Sequence, residues 1–116
     1  MDEIRIGGSK MAKKTHLTII RKGVEHWNDW RSEHPDVLPD LSGADLKAAK
    51  LSGVNLDRAN LKGVKFTNAY LSRAEITFAD LTKADLEKSN LFKAQLWRSN
   101  LSKANLNETL IFHQQL

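Results

Sequence analysis

The amino-acid sequence predicts an all-β solenoid, a square β-helix of about four coils with five-residue sides and an N-terminal capping helix. Three observations carry that expectation: a five-residue repeat that runs without interruption from Pro39, a Leu-type residue at the middle of every unit, and a small residue two positions before it. Read in fives, the chain runs PDLSG ADLKA AKLSG VNLDR ANLKG VKFTN AYLSR AEITF ADLTK ADLEK SNLFK AQLWR SNLSK ANLNE TLIFH, fifteen units without insertion. The small position holds nine Ala, two Val and two Ser, with Pro39 and Thr109 at the ends.

A period of five suits neither regular element. On an α-helix, five residues turn the side-chain direction by about 140°, so the Leu residues would spiral over every face. On a flat strand, apolar spacings of 2 and 3 throw alternate residues onto the wrong side. If the chain instead turns after each unit, one unit makes one side of a square, and its small and central residues both point inward. Residues twenty apart then stack. Just before the centre, one column reads Asp40, Asn60, Asp80, Asn100 and another Asp45, Lys65, Asp85, Asn105, so like charges are never placed about 4.8 Å apart. Inside, Leu41, Leu61, Leu81 and Leu101 are expected to form a core ladder, and Leu116 falls in register with Leu96.

Residues 1–14 are read as an N-terminal tail that is disordered or was carried over from expression, with Met11 as a natural start after Gly7-Gly8-Ser9-Lys10. Residues 15–38 are read as a capping helix and connector. Thr15 is the expected N-cap of a helix in which Leu17, Ile20, Val24, Trp27 and Trp30 make an apolar stripe. Gly23 lies near that face, where it would let the backbone approach a partner. The helix should stop by Glu33 or His34, because Pro35 disfavours helix in the preceding residue. Residues 39–116 then form the coil, whose open ends, with unpaired backbone groups, need covering.

The units ADLKA, ANLKG, ADLTK, ADLEK and ANLNE resemble the A(D/N)LXX units of the pentapeptide-repeat family. The phrase GVEHWNDWRSEHPDVLPDLSGADL is similar to the segment that leads into the repeats in many bacterial, notably cyanobacterial, members. The resemblance implies a right-handed quadrilateral β-helix with four units per coil, here just under four coils and roughly 18 Å tall. Lys50, Lys65, Tyr70 and Leu110 depart from the usual Asp or Asn, and AEITF and TLIFH are the least typical units.

Chemistry is sparse. The absence of Cys removes disulfides, thiolate metal sites and thiol catalysis, and suits a cytoplasmic protein. Leu17-Thr18-Ile19-Ile20 is far short of a membrane span, so no membrane is expected. His16, His26, His34 and His113 show no metal-ligand spacing. His26 with Asp29 could pair as base and orienter, but reads better as two polar residues on the wet face of the helix. Ser42, Ser52, Ser72 and Ser102 have no repeat-phased His beside them. Gly43, Gly53 and Gly63 sit at unit ends and form no phosphate loop. A tube filled by Leu, Phe and Ala leaves no substrate cavity. We therefore expect no enzyme, no catalytic residue, no cofactor and no metal.

A structural or protein-interaction module of unknown partner is the expected function. The candidate partner-binding strip is Arg58, Phe78 and Arg98, stacked at a corner, with Trp97, Asp57 and Thr77 beside them; Phe78 between two guanidiniums would make cation–π contacts. Lys83, Lys88, Lys93, Arg98 and Lys103 end consecutive units, so they form a belt rather than one patch, and duplex DNA would be bound weakly and without specificity. The resemblance offers one alternative, because some family members mimic DNA, bind DNA gyrase and give quinolone resistance. That role suits a long acidic rod, whereas the repeats here hold 11 basic and 8 acidic residues. At the far end, Leu110, Ile111, Phe112 and Leu116 form the candidate interface of an end-to-end homodimer, as described for some relatives; the alternative is a tail folded back as a plug.

Overall fold

The computed structural model describes residues 3–6 and 9–111. From Asp40 to Leu110 the chain pairs with itself in parallel at a constant separation of twenty residues: Asp40↔Asn60↔Asp80↔Asn100, Asp45↔Lys65↔Asp85↔Asn105, Lys50↔Tyr70↔Asn90↔Leu110 and Asn55↔Glu75↔Gln95. Four five-residue sides thus complete each turn of the coil, in the register expected from the sequence. Each side is too short to be a strand and contributes one bridge.

The unit 79–83 shows why the pattern takes this shape. The Asp80 N–H donates to Ala59 O below (3.0 Å), and the Leu81 N–H to Asn100 O above (2.8 Å). The Lys83 N–H reaches Ser102 O above (2.9 Å), and the next residue, Ala84, closes a turn onto Leu81 O (2.9 Å). The Thr82 N–H lacks a backbone acceptor, and the Asp80 side chain supplies one through Oδ1 at 2.9 Å. The preference for Asp or Asn before the centre is this bond: a short side-chain oxygen reaches the N–H two residues on. It recurs from Asp40, Asp45, Asn55, Asn60, Asp85, Asn90, Asn100 and Asn105. Buried backbone polar groups are thereby satisfied without a long strand.

Every unit from 39–43 to 104–108 ends on a residue with φ between 55° and 77°. A positive φ only at the third turn residue, with an i to i+3 bond, defines a type II turn, where glycine is favoured. Gly43, Gly53 and Gly63 meet that demand, while Lys83, Lys88, Lys93, Arg98 and Lys103 adopt it with a side chain. The basic belt is therefore a belt of turn corners.

The interior is closed by side chains. The centres from Leu41 to Leu96 and nearly all the small residues before them are buried, whereas Leu101, Leu106 and Ile111 are only partly covered. Ladder members Leu41, Leu61 and Leu81 are fully buried; Leu101 lies at the less covered end.

The N-terminal region differs from expectation in four respects. Residues 1–14, expected to be disordered or carried over from expression, contain β1 (Glu3–Ile6) and β2 (Ser9–Lys13), antiparallel with Glu3 opposite Lys13 and Ile6 opposite Ser9, so the described part of this tail is ordered. The Lys13 N–H also reaches Asp40 O at 3.1 Å, tying β2 to the first coil. In place of one helix there are two, α1 (Lys14–Arg21) and α2 (Val24–Glu33). Gly23 separates them at φ 115°, and a Cβ there would meet nothing within 4 Å, so its role is conformational rather than close approach. Thr15 is not a cap; the residue before α1 is Lys13, with no side-chain cap bond.

The apolar stripe holds: Ile20 and Trp27 are buried, with Leu17, Val24 and Trp30 packed against the same core. Polar groups of the two helices meet the lower edge of the first coil, where a preceding coil would otherwise bond. The Asp40 N–H donates to His16 Nδ1 (2.9 Å), and Arg21 donates to Asp45 O (3.3 Å). Trp27 Nε1 (2.7 Å) and Arg31 Nη1 (3.0 Å) both donate to Asn55 O, while the Asn55 N–H donates to Asn28 Oδ1 (2.9 Å). Arg31 Nη2 takes Asp57 O at 2.9 Å.

Candidate interaction surface

The side of the coil built from units 54–58, 74–78 and 94–98 brings two exposed aromatic residues, Phe78 and Trp97, together with Arg58 and Arg98, whereas exposed Tyr70 lies on another side. Phe78 is 49% exposed and Trp97 48%, values high enough to leave much of each ring open to a partner. Their centroids lie 5.0 Å apart with planes at 67°, an edge-to-face contact, and Arg98 Cζ stands 5.9 Å from both rings. Trp97 therefore joins the strip directly. Arg58 is exposed on the Asp57 side of Phe78, its N–H bonded to Thr77 O at 2.9 Å, but the cation over Phe78 is Arg98. Of the two guanidiniums expected to sandwich Phe78, only Arg98 stands over the ring, while Arg58 lines the clefts beside the connector.

The backbone under Phe78 is locally altered. Unit 74–78 carries Glu75 where Asp or Asn normally serves the N–H two residues later, and a longer side chain does not make that turn. The Thr77 N–H is met from the coil below by Asp57 Oδ1 (2.9 Å), which also accepts the Thr77 hydroxyl (2.8 Å). The following turn is bridged by Ser99, whose Oγ accepts the Ala79 N–H at 3.0 Å and donates to Ile76 O. AEITF was visibly atypical in sequence, and these substituted bonds are its structural consequence.

Two open clefts, which the sequence reading did not anticipate, meet at this corner. One of about 370 Å³ lies between Lys13, the connector residues Leu38, Pro39 and Asp40, and the wall Arg58, Asn60, Phe78 and Asp80. The other, of about 300 Å³, is bounded by Arg31, Pro35, Asn55, Asp57, Thr77 and again Arg58 and Phe78. They arise where the connector crosses the coil, a path that no repeat spacing encodes. Arg31 stands behind the second cleft. Burial lowers its pKa from the ordinary value, Asp57 opposes that shift, and Arg58 adds to it through repulsion.

Asp80, in the first cleft, is held below the usual carboxylate range. Bonds from the Thr82 hydroxyl and N–H are the main causes; slight burial opposes them, and Lys62 adds attraction. A depressed folded pKa stabilises the fold above the unfolded value, about 3.9, and that contribution is lost as pH falls through the folded value. Asp80→Asn keeps the acceptor, as Asn60 and Asn100 show in the same column. The variant should match the parent at neutral pH, within about 0.5 kcal/mol, and lose less stability below about pH 4. Thermal melts across that range read this directly, and equal acid sensitivity would exclude Asp80 as a contributor.

At the other end, Leu110 is 49% exposed and Ile111 packs partly against the core; Phe112 and Leu116 lie outside the described residues. Among the described residues no three His, Asp or Glu gather as a metal site, and no helix is long and apolar enough to cross a membrane. His26 and Asp29 are both exposed.

The family model for pentapeptide repeats (8 copies) matches residues 40–76 and 69–108. The chain belongs to the pentapeptide-repeat family, whose members are right-handed β-helices and generally non-catalytic. Among solved structures it is similar to the pentapeptide-repeat protein Rfr23 from the cyanobacterium Cyanothece 51142, at 29% identity and a TM-score of 0.54, over 66% of this chain and 59% of that one. It thus spans less than two thirds of that protein. It also matches alr5209 from Nostoc PCC 7120 at 27% identity (TM-score 0.41; 74% of this chain, 73% of that one). HetL of Nostoc sp. strain PCC 7120, a protein involved in heterocyst differentiation regulation, matches at 28% identity (TM-score 0.28; 61% and 42%). No curated protein matches the chain.

Proposed function

We propose that this protein is a non-catalytic interaction module, a rigid β-helix of just under four coils whose side at Arg58, Phe78, Trp97 and Arg98 binds another protein. The observation that carries the reading is the edge-to-face Phe78–Trp97 pair beneath Arg98, left half open on a backbone fixed by bonds to the coils on either side. Exposed aromatics and Arg are the residue types that dominate interface energies, and a preformed surface loses little entropy on binding. The filled interior supports a scaffold rather than an enzyme, and α1 and α2 act as its N-terminal cap. The module works in the cytoplasm, apart from membranes, and without specific nucleic acid. A homodimer through Leu110 and its neighbours at the C-terminal end is compatible with this role, because it leaves the aromatic side free.

The DNA-mimic reading is weaker, since it needs an acidic surface and the corners here carry a run of Lys and Arg. Supercoiling and mobility-shift assays at physiological salt should show neither gyrase inhibition nor tight duplex binding. An affinity pull-down from the source cell tests the main reading. The parent should retain a protein that the Phe78→Ala, Trp97→Ala double variant loses. Identical captures by the two folded proteins would remove this side as the interface.

A further inference from the structure

We infer that the occupant of this surface is an extended acidic protein segment, which sets a carboxylate on Arg58 and a neighbouring aromatic or large aliphatic side chain against Phe78 and Trp97. The inference rests on the interaction-module reading and adds the chemistry of the partner. The two clefts share Arg58 and Phe78 as wall residues and so lie side by side at this corner, with Leu38, Pro39 and Pro35 as apolar walls. Leu38 is 64% exposed and presents apolar surface beside this corner. Two adjoining open clefts suit an extended chain better than a domain.

Charge selects the chain. The carboxylates that line the clefts are engaged within the fold: Asp40 accepts both groups of Ser42, Asp57 accepts both groups of Thr77, and Asp80 accepts from Thr82. The Arg58 guanidinium between them is not matched. Arg58 forms no ion pair among the described residues, and Arg31 close behind it adds repulsion that an incoming carboxylate would relieve. Arg98 is committed to the aromatic rings, which leaves Arg58 as the anion receptor. A nucleic-acid strand is the less favoured occupant. Its successive phosphates would pass Asp57 and Asp80, whereas a peptide can present one carboxylate at the point where positive charge is in excess.

The test uses the full chain and three synthetic peptides of equal length, with a Gly/Ser background and a central Glu-Trp, Gln-Trp or Lys-Trp pair. Binding is followed by backbone amide shifts. The Glu-Trp peptide should titrate saturably with the largest shifts at Arg58, Phe78, Trp97 and Arg98, and bind about threefold or more tightly than Gln-Trp, as expected for an exposed charge pair. Arg58→Gln should erase that difference while leaving Gln-Trp binding unchanged, and Phe78→Ala should weaken both. Equal binding of Glu-Trp and Gln-Trp, tighter binding of Lys-Trp, shifts mapping elsewhere, or an oligo-dT strand outcompeting Glu-Trp at these residues would each overturn the inference. If that happens while the pull-down still depends on Phe78 and Trp97, only the partner chemistry falls. If the pull-down is also unaffected, the interface itself falls.

Discussion

Replacing Trp27 with Ala is expected to destabilise the protein by about 3–5 kcal/mol, the range for losing a fully buried Trp. Trp27 has no exposed surface, lies 5.1 Å from Trp30 ring to ring, and donates Nε1–H to Asn55 O at 2.7 Å. It fills the mouth of the coil and serves the coil's lower edge at the same time. Trp27→Phe separates the two roles, since it keeps most of the apolar volume and loses the hydrogen bond. Asn55 O still accepts from Arg31 at 3.0 Å, so Phe should cost only about 1 kcal/mol through that bond. Urea denaturation followed by circular dichroism measures both. A loss below about 1 kcal/mol for Ala would mean that α2 folds independently of the coil and does not seal it.

The same residue shows what the sequence made legible. Trp27 and the rest of its stripe could be read as a buried face because helical spacing projects side chains in one direction whatever lies opposite. The break at Gly23 could not be placed in that way. A lone glycine inside a periodic stretch is compatible with a continuous helix, and only the need for α1 and α2 to meet different sides of the first coil makes φ 115° necessary. The hairpin before α1 had a faint signal: charged and apolar residues alternate in Glu3–Ile6, and Gly7-Gly8 is a pattern that links hairpins. With so few residues, that signal does not outweigh polarity.

In the repeats the period fixed nearly everything, because each residue's neighbours lie twenty positions away regardless of distant parts of the chain. The inward ladder, the columns and the stacking of Phe78 with its neighbours all follow from counting. Conformational demand was less visible. Gly43, Gly53, Gly63 and Asn68 mark the left-handed corner in sequence, but the later Lys and Arg hide it, since long side chains at positive φ look like ordinary surface residues. The clefts were illegible for another reason. They depend on how residues 35–40 cross the coil, and that crossing is set by contacts of the helices, not by the repeat.

Truncating Leu81 to Ala should cost about 2–5 kcal/mol, since the side chain is fully buried, with Leu61 below and Leu101 above in its column. The cavity cannot collapse easily, because the backbone on that side is held by Asp80 N–H to Ala59 O and Leu81 N–H to Asn100 O. Leu101→Ala, one coil further toward the less covered end, should cost clearly less, because its side chain is only partly buried and solvent or neighbouring groups can fill the space. Two residues from Leu81, Lys83→Gln should change stability by under about 0.5 kcal/mol. Lys83→Val should cost more than Lys83→Gln, because a β-branched residue resists the φ of 62° at that corner. Chemical denaturation of the four variants reads the series as Leu81→Ala, then Leu101→Ala, with Lys83→Gln nearly silent. Equal losses at Leu81 and Lys83→Gln would overturn the inward assignment of the central residue, and a silent Lys83→Val would show that the corner tolerates any side chain.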